Sequence, residues 1–183
     1  ALGFDPIARA FAPTSFVIAG TPMEVAEAIA PVLGLSPVEI TAILNEESAN
    51  AAIAEAVPLQ PLLEELRALG LKLGVATNDG ETPARVHLDA VGVTGFFDFV
   101  AGSVSGHGGK PASGMCLAFV EATGLSPDRV VMVGDSTHDL EAGRAAGMQT
   151  VAVLTGLATA ETLGPLADIV LPDIGQLSRW LQG

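Results

Sequence analysis

Five side chains hold most of the chemistry that this sequence offers: Thr77, Asn78, Lys110, Asp135 and Asp139. Thr77 and Asn78 follow the apolar run Leu71–Ala76. Asp135 and Asp139 follow the run Arg129–Val133, within Gly134-Asp135-Ser136-Thr137-His138-Asp139. Lys110 closes the glycine-rich stretch Ser103–Lys110. Taken singly, each has an ordinary structural use. Thr77 could end a strand, Asp135 and Asp139 could cap a helix or sit exposed in its first turn, and Lys110 could be a solvated surface lysine. Taken together they are a phosphoryl-transfer set. Two carboxylates suit a hard cation such as Mg²⁺, which takes oxygen ligands and keeps waters. A hydroxyl, backbone N–H groups and an ammonium suit phosphoryl oxygens, in a chemistry that depends on positioning and charge stabilisation. The histidines are scattered and no Cys/His cluster exists, so a zinc site is not expected.

For these residues to meet, the chain must bring several loops to one edge. From Pro61 onward, short apolar runs alternate with helical stretches. Strands are expected at Leu71–Ala76, Phe97–Ala101, Arg129–Val133, Thr150–Leu154 and Ile169–Leu171. Helices are expected at Pro61–Leu69, Thr82–Val91, Ala112–Thr123 and His138–Ala146, with a short one after Leu154 and a last one ending at Leu181. That alternation predicts an α/β fold, a parallel sheet with helices on both faces. In such sheets ligands bind beyond the carboxyl ends of the strands, which is where the five residues stand. Gly102, Gly106, Gly108 and Gly109 allow the Lys110 loop to bend toward that rim. Asp135 and Asp139, four apart, are expected on one face at the start of a helix.

The first third reads differently. Thr21-Pro22-Met23-Glu24 and Ser36-Pro37-Val38-Glu39 each combine a cap, a proline at the first helical position and a glutamate at the third. Two helices are expected between Thr21 and Ala56, the second with a break near Ser48–Asn50 and a continuation through Ile53 to Val57. One strand is expected at Phe16–Ala19.

Composition limits the partners. The 183 residues are 49% hydrophobic, enough for a core, and contain no apolar run long enough to span a bilayer. Eight Lys and Arg against 21 Asp and Glu give a net charge of −13, which repels nucleic acid and anionic lipid. Any phosphate must therefore be held by local positive charge. The single cysteine, Cys116, fits a reducing compartment, and a cytoplasmic location is expected.

Val75-Ala76-Thr77-Asn78, Gly109-Lys110-Pro111 and Val133-Gly134-Asp135-Ser136-Thr137-His138-Asp139, in that order, resemble the second, third and fourth motifs of the haloacid dehalogenase-like (HAD) hydrolase superfamily. The tail Gly143-Arg144-Ala145-Ala146-Gly147 is similar to the region of the fourth motif. The resemblance runs from about Pro61 to the C-terminus and is strongest to phosphoglycolate phosphatase-like members. It implies a Rossmann-like core with a mobile cap, so that residues 1–57 would be an incomplete helical cap and residues 58–183 the α/β core. It also implies roles. Thr77 would hydrogen-bond the phosphoryl group, with Asn78 shaping that site. Lys110 would neutralise the nucleophile and the phosphoryl charge. Asp135 would ligate Mg²⁺, and Asp139 would ligate it or hold one of its waters.

The family's first motif, an apolar strand followed by Asp-x-Asp, has no counterpart. Ala1-Leu2-Gly3-Phe4-Asp5 comes nearest, but Asp5 is followed by Pro6 and Ile7. The expectation is that the nucleophilic aspartate lies outside this chain, that residues 1–20 belong to the cap or its hinge, and that the core lacks a strand between those ending at Thr77 and Asp135. A missing N-terminal segment, or another chain, would complete the sheet. The expected function is a Mg²⁺-dependent phosphomonoester hydrolase acting through an aspartyl-phosphate on a small phosphorylated metabolite such as phosphoglycolate, inactive as this chain alone. The alternatives are a sugar-phosphate mutase of the same superfamily and an inactive phosphate-binding or interaction domain. A dinucleotide-binding enzyme is disfavoured, since no Gly-x-Gly-x-x-Gly follows an expected strand. Arg9 could meet a substrate carboxylate or stand solvated.

Overall fold

The structure is a computed structural model that describes residues 2–12, 15–18 and 20–183. The chain opens with a short antiparallel ribbon, β1 (Phe4–Asp5) and β2 (Ala10–Phe11). Its turn is held by Asp5, whose Oδ1 accepts the amides of Ile7 and Ala8. The strand expected at Phe16–Ala19 does not form. Ser15 Oγ accepts the Val17 amide, the Gly20 amide returns to the Phe16 carbonyl, and Phe16–Ile18 are turn residues; Ala19 lies outside the described residues. A serine hydroxyl that bonds the backbone two residues on competes with extended pairing.

The two helices that follow begin where their caps dictate. α1 (Pro22–Leu33) starts after Thr21 and α2 (Pro37–Ala49) after Ser36. In both, the cap hydroxyl accepts the amide of the glutamate three residues on, and that glutamate returns to the cap's own N–H, a reciprocal bonding that satisfies two orphan donors. α1 ends at Gly34 with φ of 68°, a left-handed geometry that glycine adopts cheaply. The continuation of α2 to Val57 is not found. Asn50 closes the helix, its amide N–H and its Nδ2 both donating to the Glu46 carbonyl, and residues 51–58 carry no helix. α1 and α2 meet at 119°.

Beyond Pro58 the expected alternation holds. The elements are α3 (Leu59–Ala68), β3 (Gly74–Ala76), α4 (Glu81–Ala90), β4 (Phe99–Ala101), α5 (Gly114–Thr123), β5 (Val131–Gly134), α6 (Thr137–Ala145), β6 (Gln149–Val153), α7 (Ala160–Leu163), β7 (Ile169–Leu171) and α8 (Leu177–Leu181). β3 is shorter than the apolar run that announced it. Just before it, the Leu73 N–H bonds the Asp98 side chain rather than a strand. α2 rests on α4, where His87 Nε2 donates to the Ser48 carbonyl at 2.8 Å.

The strands form two parallel sheets, β3–β4 and β5–β6–β7. β6 is the middle strand of the larger sheet, and its period of two feeds both faces. Val151 and Val153 pack with Leu171 and Leu177 of β7 and α8, while Ala152 packs with Leu140 and Leu163 of α6 and α7. A further cluster, Cys116, Val130, Ala142, Ala146 and Met148, joins α5 to α6. No single helix among the described residues is long and apolar enough to cross a membrane.

β3 and β5 do not pair with each other. A cavity of about 600 Å³ lies between them, lined among others by Val75, Ala76, Val131, Val133, Met115 and Trp180. Leu73 O accepts the N–H of Asp98 just before β4, Thr77 N donates to Ala101 of β4, and Val130 O accepts the N–H of Gln149 of β6. Backbone groups alternate sides along a strand, so those of Gly74 and Ala76 on β3, and of Val131 and Val133 on β5, face the cavity.

Candidate active site

At the carboxyl end of β3 the chain turns through Thr77–Gly80 into α4, and at the end of β5 it turns through Asp135 and Ser136 into α6. Lys110 joins the two. Its Nζ donates to the Ala76 carbonyl at 2.6 Å and to Asp139 Oδ1 at 2.6 Å. The lysine is itself held by Asn78, whose Oδ1 accepts the Lys110 amide at 2.7 Å and whose Nδ2 donates to the Lys110 carbonyl at 2.8 Å. A single side-chain amide thus brackets one peptide residue across 32 positions of sequence. Gly109 is needed beside it, since a Cβ there would lie 2.6 Å from Thr21 Cγ2 and 3.3 Å from Asn78 Oδ1.

Asp139 serves two purposes. It is the third-position acid of a capping box, its Oδ2 accepting the Ser136 N–H at 3.0 Å and the Ser136 Oγ–H at 2.7 Å, and its Oδ1 takes Lys110. It is buried, at 7% exposure, so the ordinary alternative of an exposed first-turn acid does not apply to it, and the helix cap is Ser136 rather than Asp135. Its position depends on Gly134, where a Cβ would come within 2.2 Å of Asp139 Cβ.

Asp135 precedes the cap Ser136 rather than sitting on α6, so it approaches Asp139 through the strand–helix turn and not along a helix face. Burial pushes its carboxyl pKa up, and the Asp139 charge adds to the rise, against a backbone hydrogen bond, the Lys110 charge and a hydrogen bond with the Thr155 side chain. The direction identifies a carboxylate whose surroundings leave its charge under-compensated. No group of three or more His, Cys, Asp or Glu side chains arranged for a metal occurs among the described residues. A pair of carboxylates is still compatible with Mg²⁺, which usually binds through one or two carboxylates and keeps several waters. Asp139 Oδ1 and Oδ2 are already engaged, so Asp135 is the better placed of the two for direct ligation.

Of the five expected residues, Asn78, Lys110 and Asp139 are linked by hydrogen bonds, and Asp135 stands close enough to feel the charges of Asp139 and Lys110. Thr77 adjoins Ala76, and its hydroxyl accepts the Asp79 amide at 3.1 Å, which leaves the hydroxyl hydrogen to donate elsewhere. Arg9 lies exposed in the β1–β2 turn with φ of 52°, and among the described residues no hydrogen bond or ion pair ties it to this rim. His107 is exposed and tilts against Phe99, with ring centroids 6.3 Å apart. Thr155 and Gly156, outside the five expected residues, follow the β6 run just as Thr77 follows β3 and stand beside Asp135. A Cβ at Gly156 would lie 2.7 Å from the Asp135 carboxyl carbon. The Ala76 carbonyl that accepts the Lys110 ammonium is a partner that no side-chain pattern could reveal.

A model of the haloacid dehalogenase-like hydrolase family matches residues 27–153. A phosphoglycolate phosphatase of Caulobacter vibrioides is 34% identical over 166 residues, covering 90% of this chain and 67% of that protein. The chain spans half or less of the length of several other curated relatives that it matches. The fold is shared with a HAD family hydrolase of Deinococcus radiodurans R1 with bound phosphate and sodium (TM-score 0.65, 22% identity, 86% of this chain and 73% of that one). It is shared as well with a β-phosphoglucomutase of Clostridium difficile (TM-score 0.66, 19% identity, 88% and 75%). By the extent of the family match and the identity to the Caulobacter protein, the chain belongs to the haloacid dehalogenase-like hydrolases.

Proposed function

We propose that this chain carries the phosphate- and metal-binding half of a Mg²⁺-dependent phosphomonoester hydrolase for a small metabolite such as phosphoglycolate, in the cytoplasm. The observation that carries the reading is the placement of the Lys110 ammonium against both the end of β3 and Asp139, beside Asp135. Lys110 would bind phosphoryl oxygens and balance their charge. Thr77 would donate its hydroxyl hydrogen to them, and Asn78 would hold the Lys110 peptide in place. Asp135 would ligate Mg²⁺, with Asp139 ligating it or holding one of its waters. When bound, the cation would withdraw charge from the phosphoryl oxygens and orient them. The likeness to a phosphoglycolate phosphatase supports the substrate class.

The nucleophilic carboxylate of an aspartyl-phosphate route is not among the residues gathered at this rim. The gap between β3 and β5 suits an extended segment that would bring one. The cavity of about 600 Å³ is faced on both sides by strand backbone whose donors and acceptors an added strand would pair. Residues upstream of this chain, or another chain, would supply it, and residues 1–57 would act as part of the cap.

The test is calorimetric titration of the chain with MgCl₂ and then with inorganic phosphate. Phosphate should bind more tightly with Mg²⁺ present, and Asp135→Asn should abolish that enhancement. Phosphate affinity indifferent to both Mg²⁺ and Asp135→Asn would sink the reading. The β-phosphoglucomutase likeness favours a second reading, a sugar-phosphate mutase using the same residues. Assay of the chain together with its completing segment on phosphoglycolate and on β-glucose 1-phosphate separates the two. Phosphate binding without turnover on either would mark a non-catalytic domain.

A further inference from the structure

We propose that Glu81 is a positioning residue for Lys110, acting through Ser105 to fix the glycine-rich loop 102–110 onto the first turn of α4. The consequence for phosphate binding rests on the reading of Lys110 given above; the loop anchorage itself does not.

The connection from β4 to α5 spans residues 102–113. It contains Gly106 and Gly108 at φ of 87° and 76°, and Val104 is 63% exposed. Glycine-rich backbone loses more freedom on ordering than any other, so a loop of this composition needs anchors to hold a lysine within hydrogen-bond distance of two acceptors. The Asn78 bracket is one anchor, at the loop's far end. The other lies at its beginning. Ser105 Oγ donates to Glu81 Oε2 at 2.6 Å and accepts the Gly102 amide at 2.9 Å. Beside it the Ser103 amide donates to the Asp79 carbonyl at 2.9 Å. The two loops touch so closely that a Cβ on Gly102 would lie 2.3 Å from the Glu81 nitrogen.

An acid in the first turn of a helix commonly serves only the helix dipole, and an ion pair four residues apart on a helix surface contributes little. Glu81 does more than either. Gly80 caps α4 without a side-chain bond. The Glu81 carboxylate turns one oxygen to Arg85 Nε at 2.8 Å and the other outward to Ser105. Its pKa is lowered, by the Ser105 hydrogen bond first and by Arg85 next. The carboxylate is thus a bridge between two loops that each deliver a residue to the rim: Thr77 and Asn78 from one, Lys110 from the other.

The experiment compares Glu81→Ala, Glu81→Gln, Ser105→Ala and Arg85→Gln in the full chain, by hydrogen exchange of amides 102–110 and by phosphate titration with Mg²⁺. A hydrogen bond to a charged group is worth roughly 1.5–3 kcal/mol, so loss of the bridge should speed exchange in the loop by about tenfold or more in Glu81→Ala and Ser105→Ala. Phosphate should bind several-fold more weakly in both. Glu81→Gln, which keeps an acceptor for Ser105, should restore most of both properties, and Arg85→Gln should change little. Ser105→Ala keeps the test open should Glu81→Ala fail to fold. Unchanged loop exchange in Ser105→Ala would overturn the anchorage. Faster exchange with wild-type phosphate affinity would overturn the positioning role. A wild-type chain that binds no phosphate would instead refute the functional reading, with the exchange data still deciding the anchorage.

Discussion

Lys110 and Asp139 form the most enclosed ion pair among the described residues, with 11% and 9% of their side chains exposed. Such a pair is weak evidence for stability as a whole, because both charges lose water. Removing one partner is costly, because the other is left buried and uncompensated. Lys110→Met should therefore destabilise the chain by about 3 kcal/mol, read from urea unfolding. Asp139→Asn added to it should recover part of that loss, since the stranded charge goes. A single variant as stable as the wild type would show that water reaches Asp139 freely. The same enclosure explains why the lysine was read from sequence only as one of two alternatives. Lysine is usually solvated, and nothing within ten residues of Lys110 announces Asp139. Its place at the end of a glycine-rich loop beside the expected strand ends singled it out, and the motif resemblance added its role.

Elements set where the residues can go. α3, β3 and the approach to β4 are tied by Asp98, which accepts the Leu73 amide and pairs with Lys72 and Arg67. Those contacts hold its pKa down to about 2, the Leu73 backbone bond being the largest cause and burial working against it. A depressed carboxyl favours the folded state above the unfolded pKa of roughly 3.9. Its contribution is complete above that value and disappears as pH falls toward 2. Denaturation followed between pH 5 and pH 2 should show a steeper loss of stability in the wild type than in Asp98→Asn. Parallel slopes would remove Asp98 as the tie. Helix starts at Thr21 and Ser36 were legible because cap, proline and glutamate lie within four residues. The end of α2 falls at the break expected near Ser48–Asn50, where Asn50 turns its own side chain back to Glu46; the expected continuation to Val57 fails because a side chain that bonds the backbone offers the chain an alternative to helix.

At the scale of the molecule, the parallel sheets β3–β4 and β5–β6–β7 flank an apolar cavity. Strand edges facing such a space have backbone donors and acceptors without a strand partner, and unmet groups of this kind cost on the order of 1–3 kcal/mol each. The chain by itself should bind a hydrophobic dye such as ANS and unfold at low temperature. Cys116, which lines the cavity, should react with a thiol reagent faster than global unfolding allows, even though burial raises its pKa. An ANS-silent chain with an unreactive thiol would mean that the cavity closes in solution. Supplying the completing strand should reverse all three signs together.

What the sequence determined alone is what neighbours in the chain decide. Caps, glycine stops, strand–helix alternation and the order of the motifs are set within windows of a few residues, where local hydrogen bonding and side-chain period dominate. Meetings across the chain belong instead to the folded state: Lys110 with Asp139, 29 positions apart, and with Ala76, 34 positions apart, Glu81 with Ser105, and Asp135 with the Thr155–Gly156 turn. These depend on how strands order themselves in a sheet and on the space that packing leaves between them. Side chains that bond across such distances carry no local trace of it, because the free energy that joins them comes from burial of the whole core rather than from either residue's neighbours.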